Sequence, residues 1–336
     1  MRNFQVCLKR HPSGTPVPDD FMLARAPMPE PGDGEVLIEL LYLSVDPALR
    51  PRIEPLSAYG GAVPPGTLIP SSAIGVVRVS RSPLLSPGDH VFGFFGWQLY
   101  CAAPAHALRR IHPELAPLPK WMSVFGLSAF TAYIGMREFG RPQPGATVVV
   151  SAAAGATGAV AGQLARIAGA RAVGIAGGAA KCRYVVETLG FDACIDHRAT
   201  DFAHQLDAAC PAGIDVDFEN VGGDILAAIL PRMNQGGRVV LCGLVAQYGR
   251  AGHGGPDLWP AVYNALTIHG LRGSHYFDRI PEFVAQALDW HAAGQLVHSE
   301  HIVEGIANAP AAFCTMLAGQ HLGKAMVRVG PGTTLA

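Results

Sequence analysis

The sequence predicts an α/β protein that combines a doubly wound parallel sheet with a second, β-rich domain. Strand-forming runs separated by Gly/Pro turns fill about the first 120 residues, and strand and helix patterns then alternate from Trp121 to Cys242. Such alternation is typical of parallel sheets, because the connection between two parallel strands is usually a helix. The length of 336 residues also exceeds that of one ordinary domain.

The β-rich part contains three clear strand patterns. Residues 34–44 follow the turn signal at 31–34, residues 74–80 alternate between apolar and polar side chains, and the turn at 86–89 precedes another short strand. Short strands with such turns predict a small barrel or sandwich. The final stretch ends in a strand-like run at 325–329, and we expect this tail to pack on the first domain.

The alternating part contains the patterns expected of the parallel sheet. Its predicted strands are residues 146–151, 172–176, 193–196, 216–219, 238–242 and 266–271. Its predicted helices are residues 123–138, 156–169, 181–190 and 225–233. The predicted boundaries are residues 1–122 for the β-rich domain, 123–299 for the α/β domain, and 300–336 for the returning tail.

The composition excludes several classes of protein. Hydrophobic residues make up 49% of the chain and charged residues only 15%, so the chain can bury a large core. The net charge of −1 gives no electrostatic reason to expect a nucleic acid or an anionic membrane as partner. The uncharged stretch at 142–165 consists mostly of small residues, so we predict no membrane span.

The cysteines indicate the compartment. The seven cysteines are scattered without a CxxC pair, which is not the pattern of a disulfide framework or of a four-cysteine zinc lobe. The N-terminal residues also lack the apolar stretch of a secretory signal. We therefore expect a cytoplasmic protein.

A glycine turn after a buried strand predicts a nucleotide site. The strand VVVS at 148–151 leads into Ala152, Gly155 and Gly158, a variant of the dinucleotide fingerprint with alanine in the first glycine position. The glycines permit close approach of the backbone to a pyrophosphate, and the N-terminus of the following helix offers free N–H groups. The alternative is a tightly packed Ala/Gly helix that binds no ligand.

The end of the next predicted strand indicates which nucleotide is bound. NAD-binding folds place a carboxylate there to accept hydrogen bonds from the adenosine ribose. The segment GIAGGAA at 174–180 has no carboxylate, and Lys181 and Arg183 follow at once. This arrangement suits a 2′-phosphate and favours NADP(H) over NAD(H). The alternative is that the two cations only begin a solvated helix face.

Other catalytic constellations are weaker. The chain has no G-H-E segment of the kind found in zinc alcohol dehydrogenases, and we interpret His298 and His301 as a solvated surface pair. Gly126 and Ser128 lack the second glycine of the G-x-S-x-G nucleophile elbow. We therefore predict no metal site and no serine nucleophile.

The chain resembles the zinc-free medium-chain dehydrogenases/reductases, most closely the group of prostaglandin reductases and alkenal double-bond reductases. The matching motifs are LSVDP at 43–47, SAAAGATG at 151–158, FENVGG at 218–223, LCG at 241–243, APAAF at 309–313 and LGK at 322–324. The resemblance implies an N-terminal GroES-like domain that the C-terminal tail completes, a Rossmann domain between them, and an active site in the interdomain cleft. We also predict a homodimer.

The resemblance implies NADPH-dependent reduction of the carbon–carbon double bond of small α,β-unsaturated aldehydes and ketones. Hydride would add to the β-carbon without a metal, while hydrogen-bond donors stabilise the charge that develops on the carbonyl oxygen. Two alternatives stay open: a quinone oxidoreductase on the same scaffold, and a catalytically idle NADPH-binding regulatory protein.

The resemblance also implies the site residues. Tyr263 matches a tyrosine proposed as proton donor or enolate stabiliser. His197 stands where the group usually has a tyrosine, and His321 where it has an asparagine. The residues expected to bind the cofactor are Ala154, Gly155, Ala156, Thr157 and Gly158 at the pyrophosphate; Lys181, His197 and Arg198 near the adenosine phosphate; and Asn220, Cys242, Gly243, Tyr248, Leu271, Arg272, Gly273 and His321 elsewhere along it.

Overall fold

The computed structural model describes residues 2–55, 61–248 and 255–330. The chain divides into two compact units. The first unit consists of Met1–Met122 and Glu300–Ala336, and the second of Ser123–Ser299.

The strands are, in chain order, β1 (Asn3–Leu8), β2 (Phe21–Ala26), β3 (Glu35–Ser44), β4 (Ser72–Ser80), β5 (His90–Phe94), β6 (Tyr100–Pro104), β7 (Arg109–Ile111), β8 (Thr147–Ser151), β9 (Arg171–Ala176), β10 (Ala193–Asp196), β11 (Ile214–Glu219), β12 (Met233–Leu241), β13 (Thr267–Gly270), β14 (Glu300–Glu304) and β15 (Lys324–Arg328).

The α-helices are α1 (Leu127–Ile134), α2 (Gly158–Ile167), α3 (Ala179–Arg183), α4 (Phe202–Ala209), α5 (Gly223–Ile229), α6 (Trp259–Tyr263), α7 (Ile280–Ala292) and α8 (Ala309–Leu317). Helices α1 and α3 continue as π-helical turns, Gly135–Gly140 and Tyr184–Thr188. Short 3₁₀ helices are Pro18–Asp20, Pro47–Ile53, Ala105–Ala107, Leu118–Trp121, Leu230–Arg232, Val245–Gln247, Gly273–Arg279 and Ile306–Asn308.

The first unit is built on a mixed sheet with the strand order β14-β15-β3-β4-β5-β7, with β6 also paired to β3, beside a separate β1-β2 pair. The tail enters this sheet directly, because β15 pairs antiparallel with β3 and parallel with β14. The aromatic rings of Phe21, Trp97 and Phe313 meet in the core, with their centroids 6.0–6.1 Å apart. The C-terminal tail therefore contributes both a central strand and core side chains to a sheet that begins near the N-terminus.

The second unit contains a six-stranded sheet with the order β10-β9-β8-β11-β12-β13. Every neighbouring pair in it is parallel. The chain starts in the middle at β8, winds outward through β9 and β10, and then crosses to β11 and winds the other way. This is the doubly wound order of a Rossmann fold. The predicted fold class is therefore confirmed.

Some predicted helices differ from those observed. The helix predicted at 225–233 is α-helical only to Ile229, because Pro231 cannot continue the hydrogen-bond ladder, and Met233 is already the first residue of β12. The helix predicted at 123–138 begins at Leu127, after the extended backbone of Gly126. Helices α4 and α7 were not predicted at all.

A buried acid lies in the middle of the parallel sheet. Asp217 of β11 is fully buried, and its strand neighbours Val149 and Val239 are fully buried too. Within the part of the chain that the structure describes, neither of its carboxyl oxygens has a hydrogen-bond partner. Burial, and next the nearby carboxyl of Glu219, raise the pKa of Asp217 well above its usual range. The site therefore favours a neutral acid, and ionising it lowers stability.

We predict that Asp217→Val stabilises the protein, most strongly at alkaline pH. The folded-state pKa of Asp217 lies above that of the unfolded chain, so the folded state holds the proton more tightly. Its contribution to stability is complete below about pH 4 and decreases as the pH rises toward the folded-state pKa. Removing an unpaired buried acid is worth about 1–3 kcal/mol. Melting temperatures at pH 5 and pH 8 measure the effect, and the gain is expected to be larger at pH 8.

Asp215→Val is the matched control for this experiment. The carboxylate of Asp215 accepts hydrogen bonds from the Thr147 backbone N–H at 2.7 Å and from the Asn234 side chain at 2.8 Å. Its loss leaves two donors without an acceptor, so this variant is expected to melt at a lower temperature. A fall in melting temperature for Asp217→Val at pH 8 would contradict the assignment of a destabilising buried acid.

Candidate cofactor-binding site

The predicted cofactor residues of the second unit follow the carboxyl ends of its strands. Because the strands are parallel, these ends share one edge of the sheet, where open α/β sheets bind their ligands. By strand, they are Ala154, Gly155, Ala156, Thr157 and Gly158 after β8; Lys181 after β9; His197 and Arg198 after β10; Asn220 after β11; Cys242, Gly243 and Tyr248 after β12; and Leu271, Arg272 and Gly273 after β13.

The turn between β8 and α2 has the shape of a pyrophosphate cradle. Ala152, in the first glycine position, has a φ of 49°, in the left-handed region that normally favours glycine. The Gly155 N–H donates to the Ala152 carbonyl at 2.9 Å. A Cβ on Gly158 would lie 2.5 Å from that same oxygen, so only glycine fits where the helix begins. A Cβ on Gly155 would meet only that oxygen within 4 Å, at 3.2 Å, so the turn leaves room beside it for a ligand.

Three cationic side chains surround the turn after β9. A Cβ on Gly177 would lie 2.9 Å from His197 Nε2 and 3.3 Å from the Arg198 guanidinium. Lys181 lies in the first turn of α3, where burial, and next the charge of Arg198, lower its pKa. The neighbouring acid, Asp196, accepts hydrogen bonds from the backbone N–H groups of Gly178 and Arg198. Gly177 lets His197 and Arg198 lie directly against the turn, and the positive charges of Arg198 and Lys181 there suit a phosphate dianion.

The loops after β11 and β12 are hydrogen-bonded to each other. The backbone N–H groups of Cys242 and Gly243 donate to the Glu219 carbonyl at 2.8 and 3.1 Å, and the Val245 N–H donates to the Asn220 carbonyl at 3.2 Å. A Cβ on Gly243 would lie 3.7 Å from the Tyr248 hydroxyl oxygen. The structure therefore brings Asn220, Cys242, Gly243 and Tyr248 together.

Two further residues of this site were missed by the sequence interpretation. Glu219 Oε1 accepts a hydrogen bond from Ser151 Oγ at 2.5 Å, and also from the backbone N–H groups of Val221 and Gly222. Ser151 Oγ accepts from the Asn220 N–H at 2.7 Å, and the Asn220 side chain donates to the Ser151 carbonyl at 2.7 Å. Glu219 and Ser151 thus position Asn220. The only sequence signal was two polar residues that each end a buried strand.

The thiol of Cys242 is not a nucleophile in this setting. Burial, and next the carboxyl of Glu219, raise its pKa to about 12, so the thiol is neutral at physiological pH. Cys242 therefore fits a packing and loop-positioning role next to the cofactor residues.

The interpretation of His298 as a solvated residue is wrong. His298 is only 6% exposed, and its ring nitrogens lie 2.7 Å from the Ser299 carbonyl and 3.1 Å from the Ala156 carbonyl. Gln163 of α2 holds the same segment, because it exchanges two hydrogen bonds with the Val297 backbone at 2.8 and 2.9 Å. His298 therefore supports the glycine turn. No local pattern indicates this contact, which joins residues 142 positions apart.

The residues after β13 pack against α1. The Leu271 N–H donates to the Leu241 carbonyl at 2.8 Å, and a Cβ on Gly273 would lie 2.6 Å from Thr131 Oγ1. Arg272, between them, is exposed. The glycine lets this segment pass close to the helix.

Tyr263 lies apart from the residues at the carboxyl edge of the second unit, and His321 is not part of that unit. Tyr263 ends α6 before β13 begins, rather than projecting from a loop–strand junction as expected, and it is 84% exposed. Its neighbour Asn264 bonds to the carbonyl of Met233, the first residue of β12, so this segment lies at the amino edge of the sheet. His321 belongs to the first unit, where its ring centroid is 6.4 Å from that of His301. Their roles at the active site stay predictions.

Residues 2–55, 61–248 and 255–330 contain neither a group of metal-ligating side chains nor a helix suited to cross a membrane. Within these ranges, no three His, Cys, Asp or Glu side chains are grouped as ligands for a metal ion. None of the helices there combines the length and the apolar character that crossing a membrane requires.

Comparison with known proteins agrees with this geometry. Residues 5–111 match the family model described as the N-terminal domain of oxidoreductase, and residues 156–291 match the model of the zinc-binding dehydrogenases. The NADPH-dependent curcumin reductase of Escherichia coli (strain K12) is 39% identical over 98% of this chain and 97% of its own length. The 2-alkenal reductase (NADP(+)-dependent) of Nicotiana tabacum is 32% identical over 97% of each chain.

A solved structure is similar over the whole chain as well. The crystal structure of CurA in complex with NADPH from Vibrio vulnificus has a TM-score of 0.92 and 36% identity, over 97% of this chain and 99% of that one. The chain therefore belongs to the medium-chain dehydrogenase/reductase family. Within that family it falls in the zinc-free group of alkenal and prostaglandin reductases. It is an NADP(H)-dependent oxidoreductase that acts on carbon–carbon double bonds.

We predict that Lys181→Ala weakens NADPH binding at least ten-fold and leaves NADH binding nearly unchanged. A charge-assisted hydrogen bond to phosphate contributes about 1.5–3 kcal/mol. NADH does not make this bond, because it has no 2′-phosphate. Fluorescence titration of both cofactors measures the effect. Arg183→Ala, at an exposed position on the same helix, is the matched control and is expected to change neither affinity. An equal loss for both cofactors would show that Lys181 does not contact the 2′-phosphate.

Proposed function

We propose that this enzyme reduces the carbon–carbon double bond of small α,β-unsaturated aldehydes and ketones with NADPH, by hydride transfer to the β-carbon. The observation that carries the proposal is the group of Lys181, His197 and Arg198 at the glycine turn after β9, which fits the 2′-phosphate of NADPH. The substrate class is supported by relatives named for reduction of curcumin and of 2-alkenals.

In this proposal the residues at the carboxyl edge of the sheet bind different parts of the cofactor. Residues 154–158 bind the pyrophosphate through backbone N–H groups, and Lys181 and Arg198 bind the 2′-phosphate. Asn220 and the loop from Cys242 to Tyr248 border the nicotinamide ribose, and residues 271–273 continue that border. When bound, NADPH supplies the hydride. Glu219, Ser151 and His298 hold these loops in place.

The chemistry of the substrate determines which groups the protein must supply for the reaction. Negative charge develops on the carbonyl oxygen of the conjugated system when hydride reaches the β-carbon. A well-placed donor at that oxygen lowers the barrier by a few kcal/mol in comparable oxyanion sites. A proton must then reach the α-carbon, from solvent or from a tyrosine hydroxyl. We propose Tyr263 as the donor on its motif match alone, because its segment lies at the amino edge of the sheet, away from the cofactor residues.

A substrate panel tests the proposed reaction. The fall in absorbance at 340 nm is followed with NADPH and an enal, an enone, a quinone, or the saturated aldehyde matched to the enal. We expect turnover with the enal and enone, little with the quinone, and none with the saturated aldehyde. A chelator is expected to leave the rates unchanged. A clear preference for quinones would indicate a quinone oxidoreductase, and NADPH binding without any turnover would indicate a regulatory protein.

The donor hypothesis for Tyr263 predicts that Tyr263→Phe lowers kcat by about 10²-fold on a good enone. The substitution keeps the ring and removes only the hydroxyl, so NADPH affinity and melting temperature are expected to stay at their wild-type values. Tyr248→Phe is the comparison variant, because Tyr248 lies beside Gly243 and is expected to affect cofactor affinity instead. Wild-type turnover in Tyr263→Phe would remove Tyr263 from the mechanism.

We further propose that the enzyme is a cytoplasmic homodimer. Within the described residues, β13 is an edge strand that pairs only with β12, and an exposed apolar surface adjoins it. Leu258, Trp259, Val262 and Ile268 are 39–69% exposed there, which is unfavourable for an isolated monomer. The seven cysteines are free thiols, which suits a reducing compartment. A mass of 35.3 kDa by light scattering would contradict the dimer.

A further inference from the structure

His197 lies beside Arg198 at the proposed phosphate site, close enough to Lys181 for the charge of Lys181 to act on it. Its Nε2 atom and the Arg198 guanidinium approach the same point above Gly177, at 2.9 and 3.3 Å from where a Cβ would lie. The turn that follows β10 holds His197 there, because the His197 N–H donates to the Ala176 carbonyl at the end of β9 at 3.0 Å. Both side chains therefore lie against the turn at Gly177, so an anion bound by Arg198 lies close to the imidazole.

The charges around His197 oppose a proton on its ring in the free protein. Burial lowers the pKa of His197, and the positive charges of Arg198 and Lys181 lower it further, while Asp196 acts in the opposite direction. The carboxylate of Asp196 is already engaged by the backbone N–H groups of Gly178 and Arg198. The ring therefore remains largely neutral near pH 7 until an anion enters.

A bound 2′-phosphate reverses this balance. Bound by Arg198 and Lys181, it brings a charge of about −1.5 to −2 close to the imidazole. A negative charge within a few ångströms favours the protonated ring, and the protonated ring donates from both nitrogens, whereas the neutral ring donates from only one. NADH brings no charge to this point.

We propose that His197 takes up a proton when the 2′-phosphate of NADPH binds, so that the preference for NADPH over NADH increases as the pH falls through neutrality. This inference rests on the proposed assignment of the Lys181 and Arg198 site to the 2′-phosphate. Because the bound state holds the proton more tightly than the free state, affinity changes by at most about ten-fold per pH unit, between the pKa of the free ring and that of the bound ring.

The experiment uses a probe that carries only the adenosine end of the cofactor. Adenosine 2′,5′-bisphosphate contains the 2′-phosphate, and adenosine 5′-monophosphate is the matched ligand without it. Calorimetric titration at pH 7, in two buffers with different ionisation enthalpies, counts the protons taken up on binding. The variants are His197→Gln, at an exposed position, and His204→Gln, an exposed histidine on α4 of the same unit, as control.

We expect the wild type to bind the bisphosphate more tightly than the monophosphate and to take up a measurable fraction of a proton with the bisphosphate only. His197→Gln is expected to lose the uptake and to show only the small release from the phosphate itself, which titrates near pH 6. His204→Gln is expected to match the wild type. Proton uptake that is equal in wild type and His197→Gln would overturn the proposal while leaving the phosphate site intact. Equal affinity for the two ligands would overturn the site assignment as well.

Discussion

The parallel alignment of six strands is the constraint on which the rest of the second unit depends. It turns residues that are scattered from Ala154 to Gly273 into neighbours along one edge, because each strand ends on the same side. It also requires both faces of the sheet to be covered, which explains why every residue of β8, at the centre of the sheet, is buried. The polar and cationic side chains of the predicted site lie at the carboxyl edge, outside this covered part of the sheet.

Two carboxyl groups on one strand show how strongly local hydrogen bonds decide the consequence of burial. Glu219 and Asp217 both lie in β11 and are both buried. Glu219 accepts hydrogen bonds from a hydroxyl and two backbone N–H groups, which offset part of the desolvation that raises its pKa. Asp217 has no such donors among the described residues. A buried carboxyl group therefore organises a loop at the end of β11, where Glu219 is hydrogen-bonded. Two residues earlier, at Asp217, a buried carboxyl group only lowers stability.

The features that depend on local pattern were predictable from the sequence. Strand periodicity predicted the fold class, and glycine spacing predicted the turn around Gly155. The absence of a carboxylate before Lys181 is visible in the sequence itself. The features that depend on contacts between distant residues were not. The bond from His298 to Ala156 and the link between Glu219 and Ser151 join elements that no local pattern relates. Tyr263 shows the same limit, because a motif match gave its identity but not the edge of the sheet on which it lies.

The return of the tail to the first sheet has a consequence for the order in which the chain matures. Strand β15 pairs with β3 at Met326 and Ser44, about 280 residues apart, and β14 pairs with β15, so the first sheet lacks two strands until almost the whole chain has left the ribosome. The second unit lies entirely between these strands and is complete earlier. Domains generally fold as units during synthesis. The nucleotide-binding unit is therefore able to fold before the C-terminal strands of the first unit have been synthesised. During that interval the edge of β3 that later pairs with β15 is unpaired, and an unpaired strand edge is prone to aggregation.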